Sequence, residues 1–127
     1  MAQLTRILLI DDEEDFCFFV KGNLEAKGEY EVLTANNGLE GLEMARESGP
    51  DLILLDMIMP EMTGDEVAFE LKKDPVLKDI PIIFLTAIVT KQETGPENLA
   101  RIGGRNFMAK PVQTQGLIKA IEKALLS

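Results

Sequence analysis

Five residues of this 127-residue chain carry side chains whose types and placement suit one chemistry. Asp11 and Asp12 follow the apolar run at residues 7–10, and Asp56 follows the run at 52–55. Thr86 follows the run at 82–85, and Lys110 follows residues 106–109. Singly, each has an ordinary explanation: acids after a strand favour the start of the next helix, threonine is a good strand former, and lysine is a usual surface residue. Brought together, three carboxylates repel, and at least one is pushed toward protonation unless a cation compensates. A small set of oxygen ligands suits Mg²⁺, which keeps part of its water shell and leaves room for a phosphate oxygen. A phosphoryl group beside Asp56 would share its charge between that metal and Lys110, while Thr86 donates a hydrogen bond to a further oxygen. Those are the electrostatic and positional parts of phosphoryl transfer, with Asp56 as the nucleophile that becomes an aspartyl phosphate.

The elements that must position these groups are legible as an alternation of apolar runs and helical patterns. Residues 7–10, 52–55 and 82–85 are continuously apolar, as strands covered on both faces are. Residues 31–34 form a weaker strand, and 106–109 an expected edge strand. Between them, Phe16, Phe19, Val20 and Leu24 mark a first helix stopped at Gly28, and Leu39, Leu42 and Ala45 a second ended by Gly49-Pro50. Val67, Ala68 and Leu71 mark a third, and Leu117, Ile121 and Leu125 the last. Phe18 is expected to point away from the first helix's apolar stripe, as a scattered surface residue or a partner contact. Residues 90–104 carry Gly95-Pro96 and Gly103-Gly104, which predicts a long mobile loop and a shortened helix beginning near Pro96. Right-handed crossovers between five β-α units give an α/β, flavodoxin-like doubly wound sheet of five parallel strands in the order 2-1-3-4-5, with helices on both faces. Strand ends gather beside the topological switch point of such a sheet, and the five polar residues then converge.

Composition narrows the function classes. Length fits one domain, and 46% hydrophobic with 28% charged residues is globular composition. Thirteen basic against 22 acidic residues give a net charge of −9, which repels phosphate backbones and argues against direct nucleic-acid binding. The chain has no histidine, so Ser-His-Asp catalysis and histidine-ligated zinc are excluded. Cys17 is the one cysteine, forms no internal disulfide, and has no basic sequence neighbour to activate it, which suits a reducing compartment. No apolar run is long enough to cross a bilayer, and residues 1–6 lack a signal-peptide core, so the expected location is the cytoplasm with no membrane partner. The chain stops just after the last helical pattern, as in a stand-alone regulator or a piece of a larger protein.

ILLIDDE (7–13), DLILLDMIMPEMTG (51–64), FLTA (84–87) and FMAKP (107–111), in this order, resemble the receiver domain of two-component response regulators. The resemblance covers essentially the whole chain, residues 1–127, as one receiver domain. It implies that Asp56 accepts phosphate from the phosphohistidine of a sensor histidine kinase or histidine phosphotransfer protein. It also implies that Asp12, Asp56 and the backbone carbonyl of Ile58 bind Mg²⁺ directly, and Asp11 largely through water. Thr86 and Lys110 then bind phosphoryl oxygens, Phe107 occupies the aromatic switch position, and the Lys110–Pro111 peptide is cis. Phosphorylation would draw Thr86 inward, vacate space for Phe107 and reshape the face around residues 90–104, the strand at 106–109 and the last helix. A downstream protein, unidentifiable from this chain, would read that change. Phe107 has no hydroxyl, so it would act through packing; a purely structural place in the core is the competing reading.

Ile58 and Ile88, two residues beyond Asp56 and Thr86, depart from the family average. Apolar side chains there cannot position water and would shield the phosphorus, which predicts slow self-dephosphorylation. Such a chain processes no substrate beyond its own phosphoaspartate. A Mg²⁺-dependent phosphatase with an aspartate nucleophile would need an acid where Ile58 stands. A flavodoxin-type carrier would need a hydroxyl- and glycine-rich loop where Asp11 to Asp15 stand. A non-phosphorylated interaction module would have no use for Asp56, Thr86 and Lys110 together.

Overall fold

The computed structural model describes residues 3–87, 99–102 and 104–126. Six strands occur in these residues: β1 (Thr5–Ile10), β2 (Tyr30–Ala35), β3 (Leu52–Asp56), β4 (Ile82–Thr86), β5 (Leu99–Ile102) and β6 (Arg105–Ala109). Four helices accompany them: α1 (Glu14–Glu25), α2 (Gly38–Ser48), α3 (Gly64–Lys73) and α4 (Thr114–Leu126). The sheet order is β2-β1-β3-β4-β6-β5. Strands β2, β1, β3, β4 and β6 are all parallel and run in the doubly wound order expected of the five apolar segments.

The continuous apolar runs become strands because both their faces are covered. Ile7, Leu9, Leu52, Leu54, Ile83 and Leu85 pack against α1 and α4, whereas Leu8, Ile10, Ile53, Leu55 and Phe84 pack against α2 and α3. Period-two alternation sends each strand's side chains to both layers. Each fully buried Leu or Ile adds about 1.5–3 kcal/mol of hydrophobic stabilisation, so β1 and β3 form a rigid floor for what stands at their ends. Gly41 lets α2 lie close on that floor: a Cβ there would meet Ile10 Cδ1 at 2.5 Å. Helix α2 starts at Asn37, whose side chain accepts from Glu40 N, and stops at left-handed Gly49 (φ +56°). Among the described residues no helix is long and apolar enough to cross a membrane.

The structure corrects several element-level expectations. On α1 the buried positions are Cys17, Val20 and Leu24, and Phe19 is 66% exposed. Within the apolar run at 16–20 the small Cys17 and Val20 turn inward; helical spacing alone does not decide which side of so dense a run faces the sheet. Leu39 on α2 is likewise exposed, with Gly38, Gly41, Leu42 and Ala45 against the core. On α4, Ala120 and Ala124 join Leu117 and Ile121, while Leu125 is exposed.

The strand read at 106–109 is not an edge. Strand β5 pairs antiparallel with β6 from Leu99↔Met108 to Ile102↔Arg105, where the expectation was helix or loop. Two glycines separate Ile102 from Arg105, and Gly104 has φ +80°, a backbone state suited to a tight hairpin. Most of the long loop expected before the strand at 106–109, and the position near Pro96 where a helix was expected to begin, lie outside the described residues, as does Ile88.

Candidate functional site at the carboxyl ends of the sheet

Strand register assembles the site. Ile10 pairs with Leu55, so Asp11 and Asp56 emerge level with each other from adjacent strands, one residue past that pair. Asp56 is level with Leu85 and Thr86 with Ala109, which places Thr86 beside Asp56's strand and Lys110 just beyond Ala109. Backbone bonds continue past the ladders: Met57 N–H donates to Leu85 O, and Lys110 N–H donates to Thr86 O, at 3.1 and 3.0 Å. The Lys110–Pro111 peptide is cis.

Asp11, Asp12 and Asp56 each present a carboxylate oxygen within 4.8 Å of the others. Asp11 and Asp56 are buried, and Asp12 is exposed at the rim. Asp11 Oδ1 accepts from Glu13 N–H at 2.9 Å. Its buried Oδ2 is met by Lys110 Nζ in an ion pair at 2.8 Å. The ammonium also lies 2.8 Å from Glu13 Oε1, 3.7 Å from Asp56 Oδ1, and 4.4 Å from the centroid of the Phe16 ring. Ile58 N–H points toward Asp56 Oδ1 at 3.4 Å, and the residue is 63% exposed. Thr86 is buried at the end of β4. Phe107 is half-buried and stacks on Phe84, with ring centroids 5.2 Å apart.

The electrostatics follow from this crowding. Burial, then the neighbouring Asp11 charge, pushes the Asp56 carboxyl up to about 6, against the smaller pull of Lys110. Burial raises Asp11 as well, partly offset by Lys110 and the Glu13 amide. Burial alone would lower Lys110, but Asp11 and Glu13 more than offset it and hold the ammonium raised. One lysine does not neutralise three acids. Three carboxylates sharing one ammonium, with an all-oxygen donor set, fit a hard divalent cation at Asp11, Asp12 and Asp56.

Three supporting residues had no role assigned from sequence. Gly64 opens α3 against the loop after β3: a Cβ there would sit 2.2 Å from Asp56 O and 2.8 Å from Met57 Cα. Thr63 and Glu66 form a reciprocal capping box that fixes this approach, and that T-G-D-E pattern was the available signal. Asn36 Nδ2 donates to Asp11 O at 3.0 Å and holds the acidic loop from the β2 side. Glu13, one of several acids after β1, is the third, through its contact with Lys110. Cys17 lies beneath, its thiol pushed up to about 12 by burial first and Asp11 second, and is inert as a nucleophile. Phe19 lines an apolar groove of about 290 Å³ with Phe16, Val112 and Leu117, and Phe18 is 82% exposed nearby.

Comparison with known proteins agrees with the geometry. A family model described as the response regulator receiver domain matches residues 7–122. Protein PilH of Pseudomonas aeruginosa is 35% identical over 122 residues, covering 96% of this chain and 98% of PilH. The polar-differentiation response regulator DivK of Brucella anthropi is 38% identical over 120 residues, 94% of either chain. Among solved structures, chemotaxis protein CheY4 of Vibrio cholerae superposes with a TM-score of 0.81 at 30% identity, covering 96% of this chain and 99% of CheY4. Five parallel strands in this order, with three acids and a lysine meeting at their carboxyl ends and a sequence match over residues 7–122, have one reading: the chain belongs to the response regulator receiver domain family of two-component signalling.

Proposed function

We propose that residues 1–127 act as one receiver domain in which Asp56 accepts a phosphoryl group from the phosphohistidine of a sensor histidine kinase or histidine phosphotransfer protein. The observation that carries this reading is the meeting of Asp11, Asp12 and Asp56 with Lys110 in one cation-sized pocket. An Asp56 carboxylate oxygen attacks phosphorus, the P–N bond to the donor imidazole breaks, and the imidazole takes up a proton from solvent. The product is an acyl phosphate on Asp56. Asp12, Asp56 and the Ile58 carbonyl would hold Mg²⁺, with Asp11 acting largely through water; the ion supplies charge neutralisation for the phosphoryl oxygens. Lys110 meets one phosphoryl oxygen, and Thr86 donates its hydroxyl to another.

Phosphorylation adds negative charge and acceptor oxygens at the end of β3. Thr86 shifts toward them, and the Phe107 ring, stacked on Phe84, repacks into the space behind it. A downstream protein binds the altered face; the event is a change of population between two packings. The chain turns over no substrate but its own phosphoaspartate, and the reading carries a cytoplasmic location with it. Ile58 stands where an aspartate-nucleophile phosphatase needs its general acid. The test is incubation with acetyl phosphate and Mg²⁺ followed by intact mass measurement. Wild type is expected to gain one phosphoryl group and Asp56→Asn none; steady release of phosphate from many phosphate esters would instead establish a phosphatase.

A further inference from the structure

Lys110 is held by more than the two buried acids. Its ammonium is as close to Glu13 Oε1, at 2.8 Å, as to Asp11 Oδ2, and lies 0.9 Å farther from Asp56 Oδ1 (3.7 − 2.8 Å). The face of Phe16, 4.4 Å from Nζ to its ring centroid, closes another side. Glu13 is itself held at the start of α1, where its N–H donates to Asp11 Oδ1, so its side chain leaves from a fixed backbone point beside the lysine. We propose that Glu13 is a positioning residue that competes with the phosphorylated Asp56 for Lys110. This rests on Asp56 being the phosphoacceptor.

The physics is charge compensation. Two carboxylates at 2.8 Å already neutralise the ammonium, so a phosphoryl group arriving on Asp56 meets a lysine whose charge is engaged elsewhere. Asp11 is buried and faces the phosphoryl site itself; Glu13 is largely exposed and draws the lysine outward. Glu13 therefore stabilises the unphosphorylated arrangement, and its neutralisation shifts the balance toward the phosphorylated one. A pair with one exposed partner changes an equilibrium by about two- to fivefold and is weakened by salt.

The experiment measures equilibrium binding of beryllofluoride, an inert stand-in for the phosphoryl group, to the whole chain at Mg²⁺ saturating for every variant. Glu13→Gln is expected to bind about two- to fivefold tighter than wild type at low ionic strength, with the ratio closing toward one at high salt. Glu14→Gln removes the same charge one residue on, without touching Lys110, and is expected to match wild type. Equal or weaker binding by Glu13→Gln, a ratio indifferent to salt, or the same gain in Glu14→Gln would each overturn the role of Glu13. Binding by neither wild type nor variant would instead overturn the Asp56 reading beneath it.

Discussion

Asp56→Asn should make the metal-free protein more stable, by an amount that depends on pH. Burial and the Asp11 charge raise the Asp56 carboxyl from 3.8 to about 6 in the folded state. The folded protein therefore holds a proton between about pH 4 and 6 that the unfolded chain has released, and stability falls as pH rises through that window. Two pKa units at about 1.4 kcal/mol each put the ionisation penalty near 3 kcal/mol above pH 7, an upper figure because water and side-chain adjustment relieve part of it. Asparagine keeps the shape and omits the charge. Urea unfolding with a chelator at pH 8 should then show Asp56→Asn more stable by about 1–3 kcal/mol, a midpoint higher by roughly 1 M for a urea slope of 1–3 kcal/mol/M. At pH 4 the two proteins should converge. A variant no more stable than wild type at pH 8, or one whose advantage is the same at both pH values, refutes the electrostatic account of the site.

Three further outcomes follow from the same geometry. Mg²⁺ should raise the wild-type unfolding midpoint, by about 2.7 kcal/mol at a hundredfold excess over its dissociation constant, and should leave Asp56→Asn nearly unmoved; calorimetric scans with and without chelator check this. Gly64→Ala should destabilise by about 1–3 kcal/mol and weaken Mg²⁺ binding, because its Cβ would press on Asp56 O, 2.2 Å away; urea unfolding and metal titration read both. Wild-type phosphoaspartate should be long-lived, and Ile58→Asn should hydrolyse about tenfold faster if a polar side chain there supplies about 1.4 kcal/mol of water positioning; a wild-type half-life of seconds, or an unchanged rate in the variant, contradicts the shielding role of Ile58.

The sheet was legible because its central strands are buried on both faces and read as unbroken apolar runs, with polar residues abruptly at their ends. Parallel order and register then bring those ends together, and Asp11, Asp12, Asp56 and Lys110 share one pocket. Burial on amphipathic helices was less legible. At residues 16–20 five consecutive apolar side chains satisfy several helical stripes, and close approach to the sheet selects Cys17 and Val20 over Phe19. Strand β5 was not legible, since Leu99-Ala100-Arg101-Ile102 is too short to set a period apart from the glycines around it, and it is pairing with β6 that makes it a strand. Contacts of Gly64 with Asp56 O and of Glu13 with Lys110 join residues 8 and 97 positions apart, and spacing along a chain holds no record of such distances.

Reductive trapping tests the central claim most directly. An acyl phosphate is reduced by borohydride to the alcohol, so an aspartyl phosphate leaves homoserine behind. After treatment with acetyl phosphate and Mg²⁺, borohydride reduction and peptide sequencing by mass spectrometry should find homoserine at position 56 and at no other aspartate. Homoserine at position 11 or 12, or none in a sample that has gained a phosphoryl group, would contradict the assignment of Asp56 as the phosphoacceptor.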